Sequence, residues 1–156
     1  MNKNEKGFSL VELLVVVIII AIVAAIAIPN LLASRRAANE ASAISSLRTI
    51  HSAEATYQAT IGQGTAYGDL TDLGTQGLVD NVLGGSATPS KSGYDFDQVG
   101  TLTDVYCVTA VPTNPGSSGI REFGVGIDGV IYAGAGAGTI GCTAADGVIT
   151  GGSVIQ

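Results

Sequence analysis

The chain opens with an apolar run long enough to cross a membrane, interrupted by one acid. Phe8 to Ile28 is 21 residues, fifteen of them large and apolar, and as a helix it spans about 30 Å, the thickness of a bilayer's hydrocarbon core. At roughly −0.3 to −0.6 kcal/mol each, these residues outweigh the roughly +3 kcal/mol of the acid, Glu12, so insertion is expected. An acid retained there predicts a functional partner, and the run contains no basic residue to supply one.

A short leader with two lysines, Lys3 and Lys6, precedes the run, and the junction reads G-F-S-L-V-E from Gly7 to Glu12. This junction resembles the processing site of bacterial type IV pilins and of the pseudopilins of type II secretion. The resemblance is close over about the first 60 residues, including Pro29, and only general beyond residue 61. It implies that a prepilin peptidase cleaves after Gly7, so that residues 1–7 are a leader peptide, and methylates the new N-terminus at Phe8.

Cleavage would supply the cation that the apolar run lacks. It frees an α-amino group on Phe8, which is mostly cationic at neutral pH because its reference pKa is near 8. A buried cation and a buried carboxylate attract strongly in a low dielectric. We therefore expect Glu12 to pair with the Phe8 amine of a neighbouring subunit during assembly. Two alternatives are a pairing within one chain, at i,i+4 spacing, and a carboxylate that only benefits from the helix dipole.

Two other interpretations of the N-terminus are open. A secretory signal is one, since Ala25-Ile26-Ala27 fits an A-x-A cleavage site, but the run is long for a signal and carries an acid. A plain single-pass anchor is the other, and it explains neither the Gly7–Phe8 junction nor Glu12.

The stem is expected to continue as an amphipathic helix over 29–61. Apolar residues recur there at helical spacing, and charged residues lie mostly on other faces. Pro29 predicts a kink at the junction, because proline removes a backbone hydrogen bond and clashes with the preceding turn. Gly62 and Gly64 predict the helix end. The apolar positions are Ala37, Ala41, Ile44, Leu47, Ile50, Tyr57 and Ile61, and the charged ones are Arg35, Arg36, Glu40 and Arg48.

Residues 62–156 form the expected head, which is strongly acidic. Lys91 and Arg121 stand against nine acids there, a net charge of −7, so a nucleic-acid partner is not predicted for the head. The exported location that the resemblance implies predicts a disulfide between the two cysteines, Cys107 and Cys142. Closing that loop would stabilise the head by roughly 3–4 kcal/mol.

The last third of the chain is expected to be β-structure. Val105–Val111 has strand composition and ends at Pro112. Asp128-Gly129 predicts a two-residue hairpin turn in which Ile127 pairs with Val130 and Val125 with Tyr132. Asp146-Gly147 suggests a second hairpin. Residues 65–100 are interpreted as a connecting region with little periodicity, and the alternating Ala-Gly stretch 133–138 as a loop or edge segment.

No catalytic, cofactor or metal site is predicted. His51 is alone, no C-x-x-C pair is present, and no nucleophile–base pair can be assembled. The G-x-G-x-x-G at 124–129 lies in a predicted hairpin rather than between a strand and a helix, which excludes a dinucleotide site. Calcium binding by the aspartates of 65–100 is an open alternative to solvated loop acids, although no EF-hand pattern is present.

The expected fold class is α+β: a long N-terminal helix, membrane-spanning over 8–28 and amphipathic over 29–61, packed on a small antiparallel β-sheet head. The expected function is a structural subunit of a type IV pilus-like fibre, not an enzyme. Partners implied by the resemblance are further copies of the chain, a prepilin peptidase, an assembly ATPase, a platform protein and an outer-membrane secretin. The precursor would sit in the inner membrane with its head outside the cytoplasm. The alternatives are a type II secretion major pseudopilin and a membrane-anchored binding module.

Overall fold

A computed structural model describes residues 7–100, 102–136 and 138–155, so the leader residues 1–6 lie outside the described part of the chain. Two compact units are formed, Met1–Ser34 and Arg35–Gln156. The helices are α1 (Leu10–Thr60) and α2 (Leu70–Thr75), and the strands are β1 (Ser90–Lys91), β2 (Tyr94–Val99), β3 (Cys107–Pro112), β4 (Arg121–Gly126), β5 (Ile131–Ala135), β6 (Gly141–Thr143), β7 (Val148–Thr150) and β8 (Ser153–Ile155). The expected α+β fold class is confirmed.

The second unit, which contains the second half of α1 and the head, is built in three layers. Its centre is a six-stranded antiparallel sheet in the order β1-β2-β3-β4-β5-β8. One sheet face packs on the second half of α1, where Leu47 and Ile50 meet Phe96, Phe123 and other buried apolar side chains. The opposite face is covered by the β6–β7 hairpin, whose Ile149 packs with Cys107 and Ile140. Alternation of side chains along each strand separates these two apolar clusters.

The amphipathic face of α1 differs in detail from the predicted stripe. Leu47 and Ile50 are fully buried as expected, but Ala37, Ala41 and Ile61 are exposed. Glu40, expected on another face, is buried together with Glu54. The prediction was wrong there because it counted only apolar residues, whereas these acids are compensated by hydrogen bonds to the head.

The connecting region 65–100 is more regular than predicted. It contains α2 and the strands β1 and β2. Asp69 caps the N-terminus of α2, because its side chain accepts a hydrogen bond from the Asp72 backbone N–H. In β2, Tyr94 and Phe96 are buried while Asp95 and Asp97 face outward. This period-2 alternation was the signal for a strand, and the aspartates, which are rare in strands, obscured it.

The β4–β5 hairpin forms at the predicted place but one residue out of the predicted register. Val125 pairs with Ile131, and Gly124 with Tyr132. The Gly129 N–H donates to the Gly126 carbonyl at 3.1 Å, and Gly129 has φ +69°. These features make a three-residue loop that ends in a left-handed glycine, in place of the expected two-residue turn. The shift turns Tyr132 to the β6–β7 side of the sheet.

The second hairpin is confirmed, since β6 and β7 pair through Thr143 and Val148. The Ala-Gly stretch is only partly a loop: Ala133 to Ala135 form the end of β5, which lies inside the sheet between β4 and β8. Ala133 is buried in the main core. Small side chains suit this strand because the loop at Thr139 and Ile140 packs closely over Gly134.

Candidate functional site

The N-terminal end of α1 holds the acid that the sequence singled out. Ser9 precedes the first helical residue, and its backbone N–H donates to Glu12 Oε2 at 2.9 Å. This is the arrangement by which a glutamate three residues into a helix satisfies a free N–H of the first turn. Glu12 thus has a local partner that the sequence reasoning missed, although the S-x-x-E spacing was its signal. The partner is neutral, so it leaves the negative charge uncompensated.

A continuous apolar surface follows the motif. Seventeen large apolar side chains from Phe8 to Leu32 are each at least 47 % exposed. At roughly 1.5–3 kcal/mol for burying each, leaving them in water would cost on the order of 25–50 kcal/mol. The helix is long and apolar enough to cross a membrane by length and composition. This part of the chain therefore requires lipid or other subunits around it.

Pro29 lies inside α1, and the helix continues through it. The Asn30 side-chain amide donates to the Ile26 carbonyl at 3.2 Å, and the Ser34 hydroxyl donates to the Asn30 carbonyl at 2.9 Å. These side chains add hydrogen bonds to backbone carbonyls next to the turn that proline weakens. The kink remains a prediction.

In the second unit, three buried glutamates tie distant segments together. Glu40 accepts hydrogen bonds from the Ile120 N–H at 3.0 Å and from Arg121 Nε at 2.9 Å, and it forms an ion pair with Arg121. Burial alone would raise the pKa of Glu40, but the Ile120 N–H and the Arg121 guanidinium bring the pKa below its ordinary value. This contact joins α1 to the start of β4.

Glu54 is fully buried and pairs with no cation among the described residues. One carboxylate oxygen accepts from the Gly68 N–H at 3.0 Å and the other from Gln98 Nε2. Burial raises the pKa of Glu54 to about 7, and the nearby Asp69 and Asp72 add to the rise while the two hydrogen bonds oppose it. Gln98 Oε1 is buried without a partner in the described structure. This acid is therefore poised between its charged and neutral forms.

Glu122 points to the other face of the sheet and is 1 % exposed. Its two oxygens accept from three successive backbone N–H groups, those of Gly138, Thr139 and Ile140, at 2.7 to 3.2 Å. One side chain thus organises the loop between β5 and β6. Glu40, Glu54 and Glu122 thus each hold together segments that are distant in the sequence. The sequence signal for such a residue is a glutamate at a position that faces the core.

The remaining candidate residues have structural partners. His51 Nδ1 lies 2.6 Å from the Tyr106 hydroxyl, so the histidine has a hydrogen-bonding partner within the chain. Asp80 forms an ion pair with Lys91 and accepts two backbone hydrogen bonds. Within 7–100, 102–136 and 138–155, no group of three or more histidine, cysteine or acidic residues could hold a metal.

The predicted disulfide is present between Cys107 on β3 and Cys142 on β6, with Cα atoms 6.0 Å apart. It fastens the β6–β7 hairpin to a central strand of the six-stranded sheet. The two cysteines are 35 residues apart in the sequence. The loop that they close is large enough for the bond to stabilise the fold by roughly 3–4 kcal/mol, because it restricts the unfolded chain.

Comparison with known proteins agrees with the N-terminal geometry. The prokaryotic N-terminal methylation motif matches residues 2–28. A curated relative, the type IV wide pilus major component PilA4 of Thermus thermophilus, is 38 % identical over 93 residues, which cover 59 % of this chain and 71 % of the relative. The chain belongs to the type IV pilin family. No solved structure matches it.

As a type IV pilin, the chain joins a stem that carries the family's motif to a head that the motif does not cover. The motif match covers the segment in which Glu12 caps the helix and the apolar side chains are exposed. It ends at residue 28, before the buried glutamates and the disulfide begin.

Proposed function

We propose that this pilin is the structural subunit of a type IV pilus-like fibre, in which the first half of α1 packs against the same segment of other copies. The observation that carries the proposal is the seventeen exposed large apolar side chains between Phe8 and Leu32 on a member of this family. Lipid surrounds these side chains before assembly, and neighbouring helices replace the lipid afterwards. Residues 8–28 then form the membrane and assembly segment, 29–61 its amphipathic continuation, and 62–156 the exposed head.

Maturation by a prepilin peptidase is the first step of the proposal. The enzyme cleaves after Gly7, removes residues 1–7 and methylates the amine of Phe8. Support comes from the methylation-motif match and from the exposed, non-helical position of Gly7 and Phe8 ahead of α1, which an enzyme can reach. Mass spectrometry of the purified fibre protein should give an N-terminal peptide that starts at methyl-Phe8. A mature form that keeps residues 1–7 would overturn this step.

The assembly contact is the second step. In a dry bundle, the charge of Glu12 needs a cation, and the freed Phe8 amine of a neighbouring subunit provides one. The Ser9 N–H occupies Oε2, and among the described residues Oε1 has no hydrogen bond, so one oxygen is open to the neighbour. The contact would favour a fixed axial offset between subunits.

Two variants separate this contact from helix capping. Glu12→Gln keeps an acceptor for the Ser9 N–H but removes the charge, whereas Glu12→Ala removes both. We expect both variants to insert in the membrane at normal levels and to yield few fibres in electron micrographs. Abundant fibres from Glu12→Gln, with few from Glu12→Ala, would show that capping alone matters and would refute the charge pairing.

The proposal places the precursor in the bacterial inner membrane with its head outside the cytoplasm, and the assembled fibre outside the cell. An assembly ATPase, a platform protein and an outer-membrane secretin are the proposed machinery. Shearing cells should release long fibres made of this chain. Loss of protein secretion on deletion, with no sheared fibres, would instead assign the chain to a periplasmic pseudopilus.

A further inference from the structure

The two edges of the head's main sheet are protected very differently. The β1 edge is two residues long, follows the buried Pro89, and carries Lys91, which pairs with Asp80. Proline and charge are devices by which proteins keep sheet edges from pairing, and the β1 edge has both. The β8 edge, Ser153–Ile155, has neither a charge nor a proline, and Val154 is 56 % exposed. No described strand pairs with its outer side.

Two surface cavities of about 380 Å³ each flank this open edge, and Ile155 contributes to both. The first lies among Ala133, Ala135 and Ser153, and Arg121 also lines it. The second lies beside Val130 and Ile131, and Arg48 also lines it. An added strand directs alternate side chains to one side, so two adjacent cavities along an edge suit its successive inward side chains.

The charges beside the β8 edge indicate what kind of segment would dock there. Arg121 already pairs with Glu40, but Arg48 takes part in no ion pair among the described residues. An unpaired guanidinium beside an open edge favours a segment that carries a carboxylate. The head of this same chain is rich in such segments, since residues 62–156 have a net charge of −7, and fibre formation brings many heads close together.

We propose that β8 is a docking edge for an extended, carboxylate-bearing segment of a second copy of this chain. The segment adds beside β8, places two side chains in the flanking cavities, and sets its carboxylate against Arg48. This inference rests on the proposed function, which supplies the high local concentration of heads. It assigns the head a lateral contact that is separate from the packing of the apolar helices.

Photo-crosslinking in the full-length chain tests the proposal. A photoreactive amino acid at Val154 is compared with one at Val82, which is 53 % exposed but lies outside the edge. The experiment is run on membranes, where the chain is unassembled, and on sheared fibres. We expect crosslinked homodimers from position 154 in fibres well above those from 82, with the crosslinked peptide containing an aspartate or glutamate. Arg48→Glu should lower the dimer yield about three- to fivefold and Arg48→Lys should retain it.

Each remaining outcome decides against the proposal. Equal yields from the two positions, or no change with Arg48→Glu, would mean that the edge does not dock a copy. A crosslink from 154 to a different protein would assign the edge to another partner. If cells make no fibres at all, the proposed function is refuted. In that case the docking edge is also refuted when position 154 gives no homodimers in membranes, and it stands on its own when homodimers form there.

Discussion

Replacing Glu54 by glutamine should remove a pH dependence of stability that the buried acid creates. Burial raises the pKa of Glu54 from its ordinary value of 4.5 to about 7 in the folded head. Because the folded-state pKa lies above the unfolded one, the associated stabilisation is complete below pH 4.5 and is lost as the pH rises through 7. The free energy of unfolding should therefore fall by up to ~3 kcal/mol between pH 5 and pH 8.

Glu54→Gln should abolish this fall because its side chain stays neutral. Its carbonyl can still accept from the Gly68 N–H, and its NH₂ group can donate to Gln98 Oε1 once the Gln98 amide rotates to present Oε1 in place of Nε2. At pH 8 the variant should be more stable than the parent by up to ~3 kcal/mol, or about 10 °C in melting temperature, and at pH 5 nearly equal to it.

The assay is thermal and urea unfolding of the full-length chain in detergent, followed by the near-ultraviolet circular dichroism of its five tyrosines. Asp97→Asn is the matched control, since it removes an exposed acid from the strand that carries Gln98. The control should keep the parent's pH dependence. The reasoning fails if the parent becomes more stable from pH 5 to pH 8, or if Glu54→Gln follows the parent's curve.

Three further predictions concern the contacts that hold the head together. Glu122→Ala should leave three backbone N–H groups of the β5–β6 loop without an acceptor, costing about 2–4 kcal/mol, and hydrogen exchange at Thr139 and Ile140 should accelerate while exchange in β3 does not. Reduction of the Cys107–Cys142 disulfide should lower the unfolding free energy by roughly 3–4 kcal/mol, measured by urea unfolding with and without reductant; unchanged stability would contradict its role in fastening the outer hairpin. Gly129→Ala should cost about 1–2 kcal/mol, because φ is +69° there and a Cβ would lie 2.6 Å from His51 Nε2; a variant as stable as the parent in thermal unfolding would show that the loop relaxes freely.

Much of the fold could be predicted because the patterns behind it are local. Each pattern involves residues that are close in the sequence. The structure has a helix at the apolar run, the end of that helix before the glycines that follow Thr60, and a hairpin at each Asp-Gly pair. The disulfide followed from an inferred location outside the cytoplasm. The exact register of the β4–β5 hairpin was not accessible, since Asp128-Gly129 suits two loop lengths that differ by one residue.

The buried glutamates were out of reach for a different reason. Whether a glutamate lies on a core face depends on donors that are distant in the sequence, such as the Gly68 N–H for Glu54 and the Ile120 N–H for Glu40. A hydropathy pattern scores these residues as surface, although a carboxyl group can lie in a core when buried donors satisfy its oxygens. For Glu40 and Glu54, the available hint was their position next to apolar residues on α1. This hint is weak as long as the segment that supplies the donors is not known.

Two glutamates of α1, the buried Glu54 and Glu12 of the apolar stem, show how far neutral donors compensate a carboxylate. Each accepts a backbone N–H, Glu54 from Gly68 and Glu12 from Ser9. For Glu54 such donors leave the pKa at about 7, so hydrogen bonds alone do not hold a buried carboxyl firmly charged. Inside a dry helix bundle, the charge of Glu12 would likewise need more than a neutral donor, namely a cation. In the proposed assembly, the Phe8 amine released by cleavage would supply that cation, and for this reason Glu12→Gln is a sharper test of assembly than Glu12→Ala.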